Sequence, residues 1–529
     1  VSVLIFLLVS YVLLSVALAS VFKKAGVEES WKAYVPGLNF YVWTQIVGQP
    51  KWWALLLLLP IVNIFIFVGM AVDMARSFGY YKFSHSALAV IYAPLLMILI
   101  GRDSTAKYLG PVVPEESKYK DELRKARKEN DKKALTKLEK SPYHKSGGRE
   151  WVESVVFAVF AAAFIRMFLI EAYMIPTSSM EGSLLVGDHL FVSKANFGIR
   201  TPMTVLQIPL LHNVIPGVGS ESYLKNPSLP YNRIFKFQEI KHNDPVVFNY
   251  PDGDSVYVFP DRTYSISDYR NSRMLQENVK RLGIPLKTRP IDKKDHYIKR
   301  CVGLPGDTLQ IKNRDLYLNG KRAEDPENIQ FTYILVSESN TPINVSKLIE
   351  WGVNIYDIPN GISMNAYNLN KKQIQQIESA WPEIKVEFAQ RSKVPSGSYF
   401  PREGAPDLEW EVDNFGPIWI PKAGETIDLN TRNIAFYKRV IGVYEGRDLQ
   451  INEGKILIDG QEVSSYTFAM NYYWMMGDNR HNSEDSRVWG FVPEDHIVGK
   501  PLFIWLSTKN GSLSNGLRWD RMFTNANKK

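Results

Sequence analysis

Residues 176–179, Pro-Thr-Ser-Ser, place the hydroxyls of Thr177, Ser178 and Ser179 directly after an apolar run. In isolation such a cluster reads as a loop or helix cap. A serine hydroxyl becomes a useful nucleophile only beside a base. His189, His296 and His481 are candidates by type, but none sits in a characteristic local motif. Lysine is the other solution. It titrates near 10.4 in water, and burial among apolar groups pulls it down until it can accept a proton. Two lysines stand in related settings. Lys299 lies in YIKRCVGLPGDTLQIKNRDLYLNGK (297–321), and Lys438 lies in FYKRVIGVYEGRDLQINEGKILIDGQ (436–461). Both stretches read as basic pair, strand, Gly-containing turn and Asn/Asp-Gly hairpin, an internal echo. In a strand, Arg300 should take the face opposite Lys299, one charge pointing inward and the other meeting solvent. A dense polar string, GDNRHNSEDSRVWG (477–490), completes the chemistry-bearing set. The single cysteine, Cys301, excludes an intramolecular disulfide and any multi-cysteine metal site. No metal or other cofactor is expected.

These groups need elements to hold them. The chain has 529 residues, 45% hydrophobic, with a formal charge of +8. The apolar residues concentrate before residue 175, so a membrane part precedes a soluble part. Bases flanking spans, and a preference for anionic lipid, account for the charge without invoking nucleic acid. Apolar runs at 1–21, 52–72, 85–100 and 151–172 predict spans of about 20 residues. Lys23 and Lys24 follow the first run, which favours a retained span over a cleavable signal peptide. Residues 34–47, interrupted by Pro36, Gly37 and Asn39, read as an interfacial or loop segment. Pro60 and Asn63 should kink the second span, and Arg166 in the last is costly unless it snorkels or pairs with Glu171. The basic stretch 115–150 predicts an exposed charged helix followed by a Ser-Gly-Gly tether. With the bases inside, everything after residue 173 falls on the external face. Beyond 176 come short strands bounded by Gly, Pro, Asn and Asp, with helical periods at 268–283 and 371–380. The predicted organisation is a multi-span region (1–110), a charged cytoplasmic linker (111–150), a transmembrane anchor (151–175), a β-rich domain in two parts (176–322 and 431–508) around an accessory insertion (323–430), and a C-terminal tail (509–529). The insertion, with its PREGAPD block at 401–407, shows no recognisable chemistry of its own.

Three stretches, PTSSMEGSLLVGDHLFVSK, YIKRCVGLPGD and GDNRHNSEDSRVWGFVP, resemble in order the signature boxes of bacterial type I signal peptidases, membrane-bound serine proteases that remove signal peptides. The resemblance spans roughly 151–322 and 430–508 and leaves 1–110 outside. It implies a membrane-anchored, mainly β protein, with N-terminal transmembrane helices followed by a signal-peptidase-like catalytic domain bearing an inserted accessory domain. It also implies Ser179 as nucleophile and Lys299 as general base. Thr177, in place of the more usual serine, joins the Ser179 backbone N–H in an oxyanion hole. Ser483 would orient the Lys299 amine, Asp485 with Arg487 would brace the loop, and Asp478 and Met180 would support the site. His481, where an acidic residue is usual, should be a structural adjustment and not a base. Lys438 lacks the Leu-Pro-Gly-Asp turn and serves as comparator.

The implied activity is endopeptidase cleavage after small-x-small sequences in exported preproteins, the substrate bound as an added strand. The partners implied are signal-peptide-bearing preproteins, the lipid bilayer and the protein translocation machinery, at a bacterial cytoplasmic membrane with the catalytic domain outside. The rivals are a related Ser/Lys protease acting on other surface proteins, and a non-catalytic secretion scaffold.

Overall fold

The computed structural model describes residues 2–59, 62–251, 253, 255–259, 262–337, 342–355, 357, 365–389, 399–402, 408–452 and 454–527. The chain divides into two compact units, Val1–Val156 and Phe157–Lys529.

The first unit is helical. It comprises α1 (Ser2–Lys24), α2 (Leu38–Val47), α3 (Trp53–Leu56), α4 (Val62–Ser77), α5 (Phe83–Arg102), α6 (Val112–Lys128) and α7 (Lys132–Glu139), and the unit boundary falls within α8 (Gly147–Phe168). Helix α5 meets α1 and α4, and α4 meets α2. Leu18, Phe22, Trp43, Met70, Met74 and Leu96 are buried between them. Among the described residues, α5 and α8 are long and apolar enough to cross a bilayer. No side chain of α8 is buried. An apolar helix with no buried face needs lipid as its solvent.

Several sequence expectations are corrected here. The run 52–72 is not one helix, because α3 ends at Leu56 and α4 begins at Val62. A proline inside the run cannot donate its N–H and disfavours helix at the residue before it, which accounts for the break; Pro60 itself lies outside the described residues. The segment 34–47 is helical from Leu38 and carries the fully buried Asn39, Trp43 and Thr44. Its Pro and Gly precede the helix instead of interrupting it. Asn39 Nδ2 donates to Tyr11 Oη at 3.0 Å, so its polarity is satisfied inside the unit. The Ser-Gly-Gly stretch is no tether, since Gly147 and Gly148 form the first turn of α8. The charged helix α6 buries Val112 and Ala126, and its Glu116 pairs with Arg76 at 3.0 Å.

The second unit is β-rich. Its main sheet contains β1 (Ile170–Met174), β2 (Asp188–Ser193), β3 (Pro245–Asn249), β4 (His296–Gly303), β5 (Tyr472–Met476), β6 (Val492–Pro493), β7 (Ile497–Ser507) and β8 (Thr524–Asn525). The order is β1-β2-β7-β3-β4-β5-β6, antiparallel throughout, with β8 also paired to β7. Arg166 at the end of α8 donates to Glu171 on β1 at 2.7 Å, the expected pairing. The sequence echo produces two meanders with the same turn chemistry. One runs through Thr308–Lys312, Asp315–Leu318 and Lys321–Arg322, the other through Leu449–Asn452, Lys455–Ile458 and Gln461–Glu462. Asn319-Gly320 and Asp459-Gly460 take positive φ at both positions, 52° and 80° in the first pair and 53° and 80° in the second, as a type I′ turn requires. The upstream halves differ. Lys299 lies on β4, but Lys438 lies on a helix, Ile434–Arg439, not on the expected strand. A strand at Phe415–Trp419 joins the first meander by pairing with Thr308–Lys312.

The described residues of 331–389 form a subdomain. Its central strand Phe331–Ser337 pairs with Ala366–Leu369 and Ile384–Phe388. Helix Lys371–Ala380, opened by a capping box at Asn370 and Gln373, coincides with the helical period at 371–380. Leu335, Leu348, Leu369 and Ile377 give this subdomain its own small core.

Candidate active site

The site begins where β1, an edge strand, runs out. Ile175 is buried, Thr177 is extended, and Ser178–Met180 form one tight turn. Met180 is 1% exposed and packs with Ile175, Leu184 and Leu190, so it pins this turn to the core and lines the adjoining cavity. The turn leaves Ser179 half-buried and facing β4.

Strand β4 is held between β3 and β5, with Val246 opposite Lys299. Lys299 is 3% exposed. Its Nζ lies 2.7 Å from Ser179 Oγ and 3.0 Å from the Ile298 carbonyl oxygen, and donates to both when charged. The Tyr297 ring lies 5.4 Å from the same nitrogen. Burial pulls the Lys299 ammonium down to about 8, against the opposing pull of the Asp485, Glu484 and Asp478 carboxylates. A lysine so placed is partly neutral near physiological pH. Its neutral form would reverse the 2.7 Å contact, with the serine O–H donating to nitrogen.

Arg300 takes the opposite face of β4 but does not meet solvent, correcting the expectation. It is 1% exposed, its Nε and Nη2 donating to Asp478 at 2.7 and 2.6 Å. Such a buried fork is tolerable because the carboxylate matches it bidentately. Arg487 grips Asp485 in the same way, at 2.9 and 2.8 Å, and Asp485 also accepts from Gly477 N at 3.0 Å. These two ion pairs fix both ends of the 477–487 string. Gly477 is where the string passes the nucleophile. Any Cβ there would collide with Ser483 Oγ and with the Ser179 carbonyl oxygen.

One expected contact is absent. Ser483 does not reach the Lys299 amine, whose partners among the described residues are Ser179 and Ile298. The Ser483 hydroxyl is buried against Gly477, close enough to Asp485 to help hold its carboxyl low, but it forms no well-shaped hydrogen bond. Thr177 is exposed at the rim and lines the cleft. His481 behaves as a structural group. Thr332 N donates to its Nδ1 at 3.2 Å, which makes Nε2 the donor to Asp413 at 2.9 Å. His189 meets Trp505 edge-on, and His296 lies against Tyr173 and His212. Neither hydrogen-bonds Ser179.

Two cavities meet at Ser179. One, about 410 Å³, is lined largely by apolar groups such as Met174, Ile175, Val247, Phe259 and Ile298. The other, about 830 Å³, carries the polar side chains of Ser178, Asn354, Asp357, Asn482 and Glu484 on its walls. Thr177, Ser179, Arg262, Tyr297 and Lys299 line both. Lys438 lines a different cavity, with Arg270, Arg402 and Arg439. Asp357 and Glu181 were not foreseen. The sequence offers no signal for Asp357, whose segment showed no chemistry. Glu181 is 7% exposed, and burial first, then the Asp357 charge, push its carboxyl up to about 7.

Comparison with known proteins gives the family. The family described as signal peptidase, peptidase S26, matches residues 148–402 and 466–506, more than half of the chain. A family of unknown function (DUF5684) matches residues 31–111 in the helical unit. Among curated proteins, the chain is 24% identical to signal peptidase I of Buchnera aphidicola subsp. Baizongia pistaciae over 396 residues, covering 74% of this chain and 89% of that one. It is 24% identical to signal peptidase I of Haemophilus influenzae over 402 residues (74% and 80%), and 23% identical to that of Helicobacter pylori over 388 residues (70% and 90%). With its membrane-length helices, its β-rich domain and this match, the chain belongs to the signal peptidase family, peptidase S26, and is a membrane-anchored serine endopeptidase.

Proposed function

We propose that this protein cleaves signal peptides from exported preproteins after small-x-small sites, with Ser179 as nucleophile and Lys299 as general base. The observation that carries this reading is the 2.7 Å contact between a buried lysine and a serine at the junction of two cavities. Neutral Lys299 takes the Ser179 proton as Oγ attacks the scissile carbonyl carbon. The resulting oxyanion is met by the Ser179 backbone N–H and the Thr177 hydroxyl. Collapse expels the amine of the mature protein, which takes the proton from Lys299. Water then attacks the acyl-enzyme, losing a proton to the same lysine; collapse breaks the bond to Ser179 Oγ, which recovers that proton from Lys299, and the signal peptide leaves as a carboxylic acid that ionises in solvent. Strand β1 supports the binding mode. It is an edge, and it leads straight into 176–179. An extended peptide paired there sends alternate side chains into the apolar cavity.

The apolar helix α8 and the bases of 115–150 support a reaction at a cytoplasmic membrane, with those bases inside and the catalytic domain on the external face. The substrate partners are signal-peptide-bearing preproteins, and the helical region before residue 110 is the part available to the translocation machinery. In detergent, Ser179→Ala and Lys299→Ala should each abolish cleavage of a preprotein. An acylating serine probe should label wild type and fail on Ser179→Ala. Cleavage of non-secretory surface proteins with no action on preproteins would instead select the related-protease reading.

A further inference from the structure

We propose that Asp357 is a positioning residue for the nucleophile, holding Ser178 from outside the turn so that Ser179 stays in register with Lys299. The inference rests on Ser179 being the nucleophile. It starts from a weakness in the site: Ser178–Met180 is a turn of three residues with little hydrogen bonding of its own. Its position must be set by its neighbours. Ser178 Oγ donates to Asp357 Oδ1 at 2.7 Å. Asn479 Nδ2 donates to Asp357 Oδ2 at 2.8 Å, and Asn482 Nδ2 donates to Oδ1. Both asparagines belong to the polar string that already receives the nucleophile's backbone, Asn479 N donating to the Ser179 carbonyl oxygen at 3.1 Å. One carboxylate therefore ties the nucleophile turn to the catalytic string.

That carboxylate is itself anchored. Asn368 Nδ2 donates to Asp357 Oδ2 at 3.2 Å and to its carbonyl oxygen at 3.0 Å, while Asn368 Oδ1 accepts from Thr332 Oγ1 at 2.7 Å. Asn368 and Thr332 are opposed on the subdomain's sheet. Gln330, immediately before the sheet's central strand, grips the string: its N donates to the Asp478 carbonyl at 2.9 Å and its carbonyl accepts from Arg480 N at 2.9 Å. The subdomain, which showed no chemistry in sequence, thus braces the active site. Asp357 is its contact closest to the nucleophile, one residue away through Ser178.

The test uses the full chain in detergent with a preprotein substrate, measuring kcat and KM separately. Asp357→Asn keeps the shape but loses acceptors, and should lower kcat by about 10- to 100-fold, the scale expected when a reacting group is misplaced by an ångström. KM should stay within about twofold. Asp357→Glu should recover part of the loss. Ser178→Ala should also lower kcat, and the double variant should lose clearly less than the product of the two single losses, because the Ser178–Asp357 hydrogen bond is common to both. Wild-type kcat in Asp357→Asn, a loss confined to KM, or multiplicative effects in the double variant would overturn the proposal; a loss confined to KM would make Asp357 a substrate contact instead. Ser179→Ala run alongside separates the two ideas. If it retains activity, the nucleophile assignment fails; if it is dead while Asp357→Asn is normal, only the positioning role fails.

Discussion

Lys299 and Lys438 open two copies of one sequence pattern, and only their downstream halves fold alike. Past the turn, both copies form the same three-stranded meander with matched Asn-Gly and Asp-Gly corners. Before it, YIKRCVG is a central strand and AFYKRVIGVY is helical. Backbone N–H and C=O groups must be paired when buried. Residues 296–303 have β3 on one side and β5 on the other; among the described residues, no strand pairs with 434–444, which form helical turns instead. The consequence is chemical. On the strand, alternation drives Lys299 to Ser179 and Arg300 to Asp478. On the helix, Lys438 and Arg439 are half-buried, and Arg439 caps the Pro251 carbonyl.

The largest expected break in this comparison is activity. Lys299→Ala should reduce preprotein cleavage by about 10⁴-fold or more, the scale of losing one member of a nucleophile–base unit. Lys438→Ala should stay within about twofold of wild type; the reverse pattern in the same cleavage assay would sink the base assignment. Stability should split the neighbouring arginines next. Arg300→Met strands the buried Asp478 carboxylate and should cost about 3–5 kcal/mol in denaturant unfolding. Arg439→Met removes a hydrogen bond to a carbonyl and should cost about 1 kcal/mol. Equal costs would mean that the Arg300 pair is not buried as described.

Lys299 should itself be a stability liability. Its folded pKa, about 8, lies below its unfolded value, so the unfolded state binds more protons between about 8 and 10.5. Stability should therefore rise with pH across that window, the full penalty being present below pH 8. Lys299→Met should be more stable than wild type at pH 7, by up to roughly 3 kcal/mol. A less stable variant would argue that the amine's contacts outweigh its burial. The same shift also has a kinetic consequence. Because the neutral amine is the reactive form, kcat/KM should rise about tenfold per pH unit below pH 8 and level off above it. A profile flat from pH 6 to 9 would place the base elsewhere.

The site was legible wherever one local stretch carried both residue type and geometry. The hydroxyl cluster, the YIKR strand and the Asp-Gly corners announce themselves, because turn chemistry and strand alternation are short-range. Arg166 and Glu171, five residues apart, could be paired on paper and are paired at 2.7 Å. The membrane half was harder. Hydropathy located its apolar runs but missed the break inside 52–72 and the buried polar helix α2, since burying Asn39 and Thr44 needs partners on other helices.

Sequence alone determined the membrane-anchored β-rich class, the family and the residue types of the candidate dyad. Tertiary structure decided which of two similar lysines is buried beside Ser179, since of the two segments that carry them it is β4 that has strands on both sides to force alternation on its side chains. It also closed Arg300 off from solvent, kept Ser483 away from the amine, and brought Asp357 to Ser178 across 179 positions of chain. Such contacts have no periodicity or motif to betray them. They exist because the subdomain's sheet holds the catalytic string, and pairing between distant segments is not written in either segment by itself.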